Sequence, residues 1–599
     1  MPASEVTRMD LTPLPSRILK FGVFEIDLEA GELRKSGMRQ KLAAQPFGVL
    51  RVLLERPQQL VTREELQRRI WPKGTFVDYE LALKKAVSRI REVLGDSAEN
   101  PRFIETLSRR GYRFIAPLND TVAERRTAPA LGATRDSIVV LPFINISADT
   151  ENEFFADGIT EEIINALAQI NELHVVARSS AFSFKGKHID PRVVGEQLNV
   201  RTVLEGSVRR VDNRLRITVQ LVNAADGYHL WSERYDRETK DVFEIQDEIA
   251  RAIAERLKVT LERGGQEPLV KAATKNLEAY QLYLKGRSLL YKRGLAVPRA
   301  LECFRQAVAL DDQYAPAWAG LADSYTTLGY NGFAHPATTM PKGMEAARRA
   351  VAIDPSVAEA HSALAIACLM GTWDKAEAER EFVRALELNP RYIQARDWYA
   401  LFYLQCCEER LEEGVAQAKL ALESDPLSAY ANAVFGFTNC IAGRAVEGLR
   451  ACEGAVELDP ESFIVRWCHH AALYVSERFE EAVGVGEIAA AMSGRHPWAM
   501  GTLAAALAEL EKPSDADAIY AELMSRARRS YIPPSVLAMA AAAAGMQDQA
   551  IRHAREAFEI RDPMSQFFLS RVAAVGSTAR LLADPRFQEM SVDMGWLLK

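Results

Sequence analysis

No apolar run in this 599-residue chain exceeds nine residues, Val536 to Ala544, whereas a membrane-spanning helix needs roughly 20. No membrane-spanning segment is therefore expected. The opening stretch, MPASEVTRMDLTPLPSR, has no apolar signal core, so the chain is expected to stay in the cytoplasm. Cysteine is missing from the first half: all seven (Cys303, Cys368, Cys406, Cys407, Cys440, Cys452, Cys468) follow residue 300. None forms a C-x-x-C pair or shows zinc-ligand spacing. They are expected to be small buried apolar side chains in a reducing compartment, the alternative being a redox or metal sensor at Cys406-Cys407 or Cys468-His469-His470. Also absent are G-x-x-x-x-G-K-[ST], H-E-x-x-H and G-x-S-x-G, which removes the common phosphate, zinc and acyl-transfer chemistries. An enzyme is not expected, and no cofactor is implied. Phe184-Lys185-Gly186-Lys187 is too short to cradle a phosphate. Asp157, Glu161 and Glu162, at the start of a helix, are expected to complement its dipole, a metal cluster being the alternative.

What is present begins with charge. The net charge of -7 conceals an asymmetry, because residues 17–116 hold 20 Lys+Arg against 13 Asp+Glu. That segment attracts a phosphate backbone, and the acidic remainder is repelled by one. Within it, Leu83, Ala86, Ile90, Val93 and Leu94 fall on one side of a helix while Lys84, Lys85 and Ser88 fall away. The stretch PRFIETLSRRGYRFIAP then reads as strand, turn and strand. Phe103, Ile104, Phe114 and Ile115 pack inward, and Ser108, Arg109, Arg110 and Gly111 make the tip, where glycine permits the positive φ of a tight turn.

Ahead of these lie short strands over 18–27 and 31–35 and a helix from Leu42 to Arg56, ending before Pro57. A second helix follows from Val61-Thr62 through REELQRRIW, with Thr62 as N-cap and Glu65 completing a capping box. Strands, three helices and a hairpin make the order of a winged helix-turn-helix. The stretches LAAQPFGVLRVLLE (42–55), VTREELQRRIW (61–71), VSRIREVLGD (87–96) and IETLSRRGYRF (104–114) resemble the effector domain of OmpR/PhoB-type response regulators and of ToxR/CadC-like one-component activators. The resemblance implies double-stranded DNA as partner, with the third helix in the major groove and the wing on the backbone or minor groove. Lys85 and Ser88, flanked by Lys84, Arg89 and Arg91, are the candidates for groove and phosphate contacts, and Arg109, Arg110 and Arg113 for the wing. In the resembled family the loop corresponding to 71–80 touches RNA polymerase; an ordinary connection anchored by Trp71 is the alternative. No phosphoacceptor receiver domain is expected ahead of residue 17.

Residues 119–135, small, polar and proline-containing, are expected to be a linker. Beyond them SIVVLPF (137–143) reads as a buried strand, Phe154 to Ile170 as a helix with Thr160 as an internal cap, LHVVAR (173–178) as a strand and Pro191 to Leu198 as a short helix. Three strands divided by Asp212-Asn213 and Ala225-Asp226-Gly227 lead to a long helix, Val242 to Leu261. The stretches FFADGITEEI, VLEGSVRR and HLWSERYDR resemble the TolB amino-terminal-like domain, over residues 136–264.

From residue 275 a triad at spacing four then three recurs: Ala300/Phe304/Ala307, Gly343/Ala347/Ala350, Ala378/Phe382/Ala385, Gly414/Ala418/Ala421, Gly448/Cys452/Ala455, Ala482/Gly486/Ala489, Ala516/Tyr520/Leu523 and Ala550/Ala554/Ala557. The period settles at 34 residues, that of tetratricopeptide repeats. About eight repeats are expected, with an insertion around Gly329 to Pro341 and a cap after Pro563. Such an array offers an extended concave surface for a protein or peptide ligand. His469-His470 and Trp318, Trp373, Trp398, Trp467 and Trp498 are expected mostly to pack between helices, the alternative being a groove lining.

The expected fold is multidomain α+β and all-α: winged helix (17–118), linker (119–135), α/β domain (136–264) and α-solenoid of tetratricopeptide repeats (275–599). The function expected is a sequence-specific DNA-binding transcription regulator, possible as a homodimer, whose middle domain and repeats receive a protein or small-molecule signal. The alternatives are a tetratricopeptide scaffold and a nucleotide-signalling accessory without catalytic activity.

Overall fold

The computed structural model describes residues 18–21, 24–27, 32–35, 38–40, 42–70, 79–97, 101–107, 110–116, 119–121, 137–147, 152–170, 173–187, 189–257 and 273–593. Two compact units divide the chain, Met1–Arg135 and Asp136–Lys599.

In the first unit, β1 (Ile18–Phe21), β2 (Phe24–Asp27), β3 (Glu32–Lys35) and β4 (Met38–Gln40) form an antiparallel meander. Its alternating Leu19, Phe21, Phe24, Ile26 and Leu33 are buried, as a one-sided sheet requires. Helix α1 (Ala44–Leu54) follows, then β5 (Leu60–Thr62), α2 (Arg63–Ile70), α3 (Tyr79–Leu94), β6 (Ile104–Leu107), β7 (Gly111–Phe114) and β8 (Asn119–Thr121). The expected linker therefore starts late, because Asn119–Thr121 pair antiparallel with β1 as a fifth strand. Val61 and Thr62, expected at the head of a helix, belong instead to the strand Leu60–Thr62 paired with β7. Thr62 serves both elements: the Glu65 backbone N–H donates to its Oγ1 at 3.2 Å, which caps α2. Phe21, Phe24, Phe103 and Phe114 join meander and hairpin, with neighbouring ring centroids 5.0 to 5.8 Å apart.

The second unit opens with β9 (Ser137–Val140), β10 (Ile144–Asn145), α4 (Glu153–Ala168), β11 (His174–Val175), α5 (Arg178–Phe182) and α6 (Pro191–Leu198). After these come β12 (Thr202–Val211), β13 (Arg214–Asn223), β14 (His229–Glu238) and α7 (Val242–Arg256). The sheet runs β11-β9-β12-β13-β14, parallel in its first three strands and antiparallel beyond, with β10 pairing parallel to β12. The strand expected over 173–178 is cut to two residues by α5. Thr160 is not a cap: its hydroxyl donates to the Ala156 carbonyl at 2.8 Å and accepts from the Phe143 N–H at 3.0 Å, tying helix to strand.

Asp157, Glu161 and Glu162 lie beyond the first turn of α4, where the acidic residue is Glu153, and so do not serve the helix dipole. Asp157 and Glu161 are buried, Asp157 against Lys185 at 2.6 Å and Glu161 against Arg178 at 3.0 Å and against Arg287. Tyr291 also donates to Glu161, at 2.9 Å. Burial alone pushes Glu161 up; Arg287 and Arg178 overcome it and hold the carboxyl below its ordinary range. Burial, with Glu161's charge adding to it, pushes neighbouring Glu162 to about 7. Arg287 and Tyr291 lie on the helix Leu277–Lys292, so this cluster fastens the middle domain to the repeats. A second fastening is Asp425, which accepts from the Ser180 N–H at 2.9 Å and from its hydroxyl.

Eight helical hairpins follow, from Leu277–Lys292 with Val297–Leu310 through Pro534–Ala543 with Gln547–Glu559. All eight triads lie on second helices and are buried. Small residues are required where helices touch: a Cβ on Gly448 would come 2.5 Å from the Gly436 carbonyl. The extra residues near 329–341 lengthen both helices of one hairpin, to Ala315–Tyr330 and Pro336–Ile353. Segments Ser565–Phe568, Gly576–Leu582 and Pro585–Asp593 form the cap.

The array is not open along its inner side. His496 Nε2 donates to the Asn331 carbonyl at 3.0 Å, its Nδ1 accepts from the Trp498 N–H, and Tyr330 stacks on Trp498 at 6.1 Å. Gln566 in the cap donates to the Leu369 carbonyl at 2.8 Å and accepts from the Cys407 thiol. The cysteines are buried, Cys407 partly. His470 is packed against Gly486 between helices, and Trp398 is buried; Trp467 and Trp498 also line an internal cavity.

Candidate nucleic-acid interface

Helix α3 separates its faces cleanly. Leu83, Ala86, Val87, Ile90 and Leu94 are buried, and Val93 half-buried. Lys84, Lys85, Ser88 and Arg89 are all exposed on the opposite side. Among the described residues Lys84 and Lys85 make no ion pair, and Arg89 pairs only with Glu92, one turn along, at 2.6 Å. An exposed i,i+3 pair of this kind is worth a few tenths of a kcal/mol at most, about 0.3–0.5, so the guanidinium is readily released to another anion.

Arg91 does something different. It is half-buried, and its Nη2 donates to the Ile104 carbonyl at 2.7 Å and to the Thr106 hydroxyl at 2.9 Å. It fastens helix to hairpin. Asp96, which the sequence reading did not single out, has the matching role: its carboxylate accepts from the N–H groups of Arg102 at 2.7 Å, Ile104 at 2.8 Å, Phe103 at 3.3 Å and Ser97 at 3.0 Å. The signal was present in Leu94-Gly95-Asp96. Gly95, at φ +63, ends the helix and turns the chain so that Asp96 faces the strand.

The wing is the antiparallel sheet β5-β7-β6. Gly111 stands at φ +155, and a Cβ there would lie 2.1 Å from the Val61 carbonyl. The glycine is required by the approach of β5 as well as by its own φ. Arg110 is exposed at the turn; Ser108 and Arg109 lie outside the described residues, as does the loop 71–78. Arg113 is not free: it is paired across the strands with Glu105, through Nε at 2.8 Å and Nη2 at 2.5 Å. Lys84, Lys85, Ser88, Arg89 and Arg110 thus remain as outward groups, whereas Arg91 and Arg113 hold the scaffold. Arg102, exposed and over the Phe103 ring at 5.6 Å, is a further outward cation.

Three packed helices with a basic outward third helix and a basic hairpin define a winged-helix DNA-binding domain. Residues 37–114 match the family model "Transcriptional regulatory protein, C terminal", and residues 134–252 match "HilA/YgeH-like transcriptional regulator, second domain". These two segments are thus similar to parts of winged-helix transcriptional regulators of HilA- and ToxR-like kind. It is 22% identical over 462 residues to transcriptional regulator HilA of Salmonella typhimurium, covering 75% of this chain and 72% of that one. It is 43% identical over 189 residues to a protein named putative adenylate cyclase 3 of Rhizobium meliloti, covering 31% of this chain and only 32% of that relative. Among solved structures, the RstA DNA-binding domain of Klebsiella pneumoniae in complex with the RstA box is 27% identical, covering 16% of this chain and 96% of that one at a TM-score of 0.15. No helix among the described residues is long and apolar enough to cross a membrane.

Proposed function

We propose that this protein is a cytoplasmic, sequence-specific DNA-binding transcription regulator, not itself an enzyme, whose middle domain and repeats receive a protein or small-molecule signal. The observation that carries the proposal is the sorting of α3: one face wholly core, the other presenting Lys84, Lys85, Ser88 and Arg89 together. Lys85 and Ser88 read the major groove in this proposal, and Lys84 and Arg89 hold phosphates. Arg109 and Arg110 hold the backbone beside the wing. Arg91 and Arg113 act at one remove, by fixing the helix and the hairpin. Arg109→Ala with Arg110→Ala is expected to weaken binding to every duplex and to flatten the salt dependence; an unchanged slope overturns the wing assignment. Comparing residues 1–135, which keep the strand Asn119–Thr121, with the full chain on one promoter, with and without cell extract, tests signal reception. Equal affinity throughout overturns it.

Homodimerisation and a contact of the 71–80 loop with RNA polymerase belong to the same proposal; footprint half-site spacing tests the first, and a polymerase pull-down with loop variants the second. The relative named as a putative cyclase favours one second reading, an accessory to nucleotide signalling. A calorimetric nucleotide screen on the full chain separates the two.

A further inference from the structure

Between α4–α5 of the middle domain and the inner side of the repeats lies a cavity of about 890 Å³, within the range of small-ligand sites. Its walls carry five cations (Arg178, Arg287, Lys292, Arg293, Arg391) and six carboxylates (Glu161, Glu359, Asp397, Asp425, Asp459, Glu461). Part of this charge is already met, Glu161 by Arg178 and Arg287 and Asp425 Oδ1 by Ser180, although Asp425 Oδ2 has no hydrogen-bond partner. Asp397 is fully buried on the helix Ile393–Trp398, and neither of its carboxylate oxygens has a hydrogen-bond partner. An unpaired buried carboxyl is costly. Trp467 and Trp498 belong to the same lining, and their buried indole N–H groups are also without acceptors. Tyr330, Phe402 and Tyr430 add aromatic surface, and Arg293 lies over the Tyr430 ring at 4.2 Å.

These groups specify complementary chemistry. Asp397 asks for a donor, best a cation; the two indoles ask for an acceptor; the rings ask for an apolar body. We propose that this cavity binds an α-ammonium group flanked by a carbonyl and an apolar side chain, as presented by a free amino acid or by the N-terminus of a short peptide. Asp397 takes the ammonium, Trp467 and Trp498 donate to the carbonyl or carboxylate oxygen, and the aromatic rings cover the side chain. The proposal deepens the signal-receiving reading and rests on it for its regulatory consequence alone. Both fastenings between middle domain and repeats border the cavity, so an occupant bears on how the two are held.

The test is calorimetry on the full chain with L-phenylalanine, with the tripeptide Phe-Gly-Gly, with N-acetylated forms of both, and with 3-phenylpropionate, which lacks the amine. Saturable one-site binding of an unblocked compound, at least about tenfold tighter than its acetylated form, is expected. Binding of phenylalanine or of the tripeptide alone tells the two sources apart, and either supports the proposal. Asp397→Asn, nearly isosteric, is expected to remove that preference, and Trp467→Phe, which keeps a ring and loses the N–H, to weaken binding severalfold; thermal melting verifies that both fold. Blocked compounds binding as tightly as unblocked ones, an Asp397→Asn protein that keeps the preference, or no binding by any of them overturns the proposal. Operator affinity is measured separately: ligand binding that leaves it unchanged retains the site and removes its regulatory consequence, whereas loss of the site leaves the fragment comparison standing.

Discussion

Helices α3 and α4 are each 16 residues long and each carry charges at helical spacing, yet they use them in opposite ways. On α3 the charges Lys84, Lys85 and Arg89 face outward. On α4 the charges Asp157 and Glu161 are buried, because Lys185, Arg178 and, from 126 residues further on, Arg287 come to meet them. The difference lies in what arrives from elsewhere in the chain. A charge run with no incoming partner becomes an external surface; the same run met by opposite charge becomes an internal joint, with burial strengthening the attraction and raising the cost of breaking it.

The sharpest way to break the comparison is Glu161→Ala. It leaves Arg287 and Arg178 partly buried without their carboxylate, and the second unit is expected to lose about 3–5 kcal/mol in urea unfolding. The counterpart, Lys84→Ala with Lys85→Ala, is expected to leave stability within about 0.5 kcal/mol, to lower the salt slope of duplex binding by about one through Lys84, and to relax base discrimination through Lys85. If the lysine pair destabilised as much as Glu161→Ala, the contrast would fail. Asp96→Ala lies between, since it removes a charged acceptor from the backbone N–H groups of Arg102, Phe103 and Ile104. A loss of about 1.5–3 kcal/mol is expected by denaturation of the first unit, together with weaker DNA binding as the wing loses its register.

A further effect concerns pH. Burial pushes the Asp323 carboxyl to about 7, so the folded chain keeps a proton that the unfolded chain releases near its ordinary value of 3.8. Stability from this group is complete below about 4 and is lost as pH rises towards 7. Asp323→Asn is expected to flatten that part of the stability profile, as read by thermal melting in buffers between those limits.

Periodicity carried much of this fold. The buried face of α3 and all eight triads are local patterns, so they can be read from neighbouring residues. The N-cap at Thr62 was legible for the same reason, although Glu65 turns its carboxylate to Arg56 at 3.2 Å rather than completing a capping box. Pairings between distant segments were not: β8 looks like linker until Ile18 supplies its partner, and Val61-Thr62 look like the head of a helix until β7 lies beside them. In the candidate interface, composition selected the basic residues but gave no direction. Arg89 and Arg91 are two residues apart on one helix, and the position of the Ile104 carbonyl and the Thr106 hydroxyl separates an outward arginine from an inward one.

The junctions from His496 to Asn331 and from Gln566 to Leu369 have a consequence for how the repeats come apart. A linear array frays from its ends, each repeat held only by its neighbours. Here the last turns are stitched to hairpins some 160 to 200 residues earlier, so releasing the final helices also uncovers the middle of the array. Amide exchange should therefore show the C-terminal helices opening together with the hairpin around Leu369, as one cooperative block rather than a graded sequence of terminal losses.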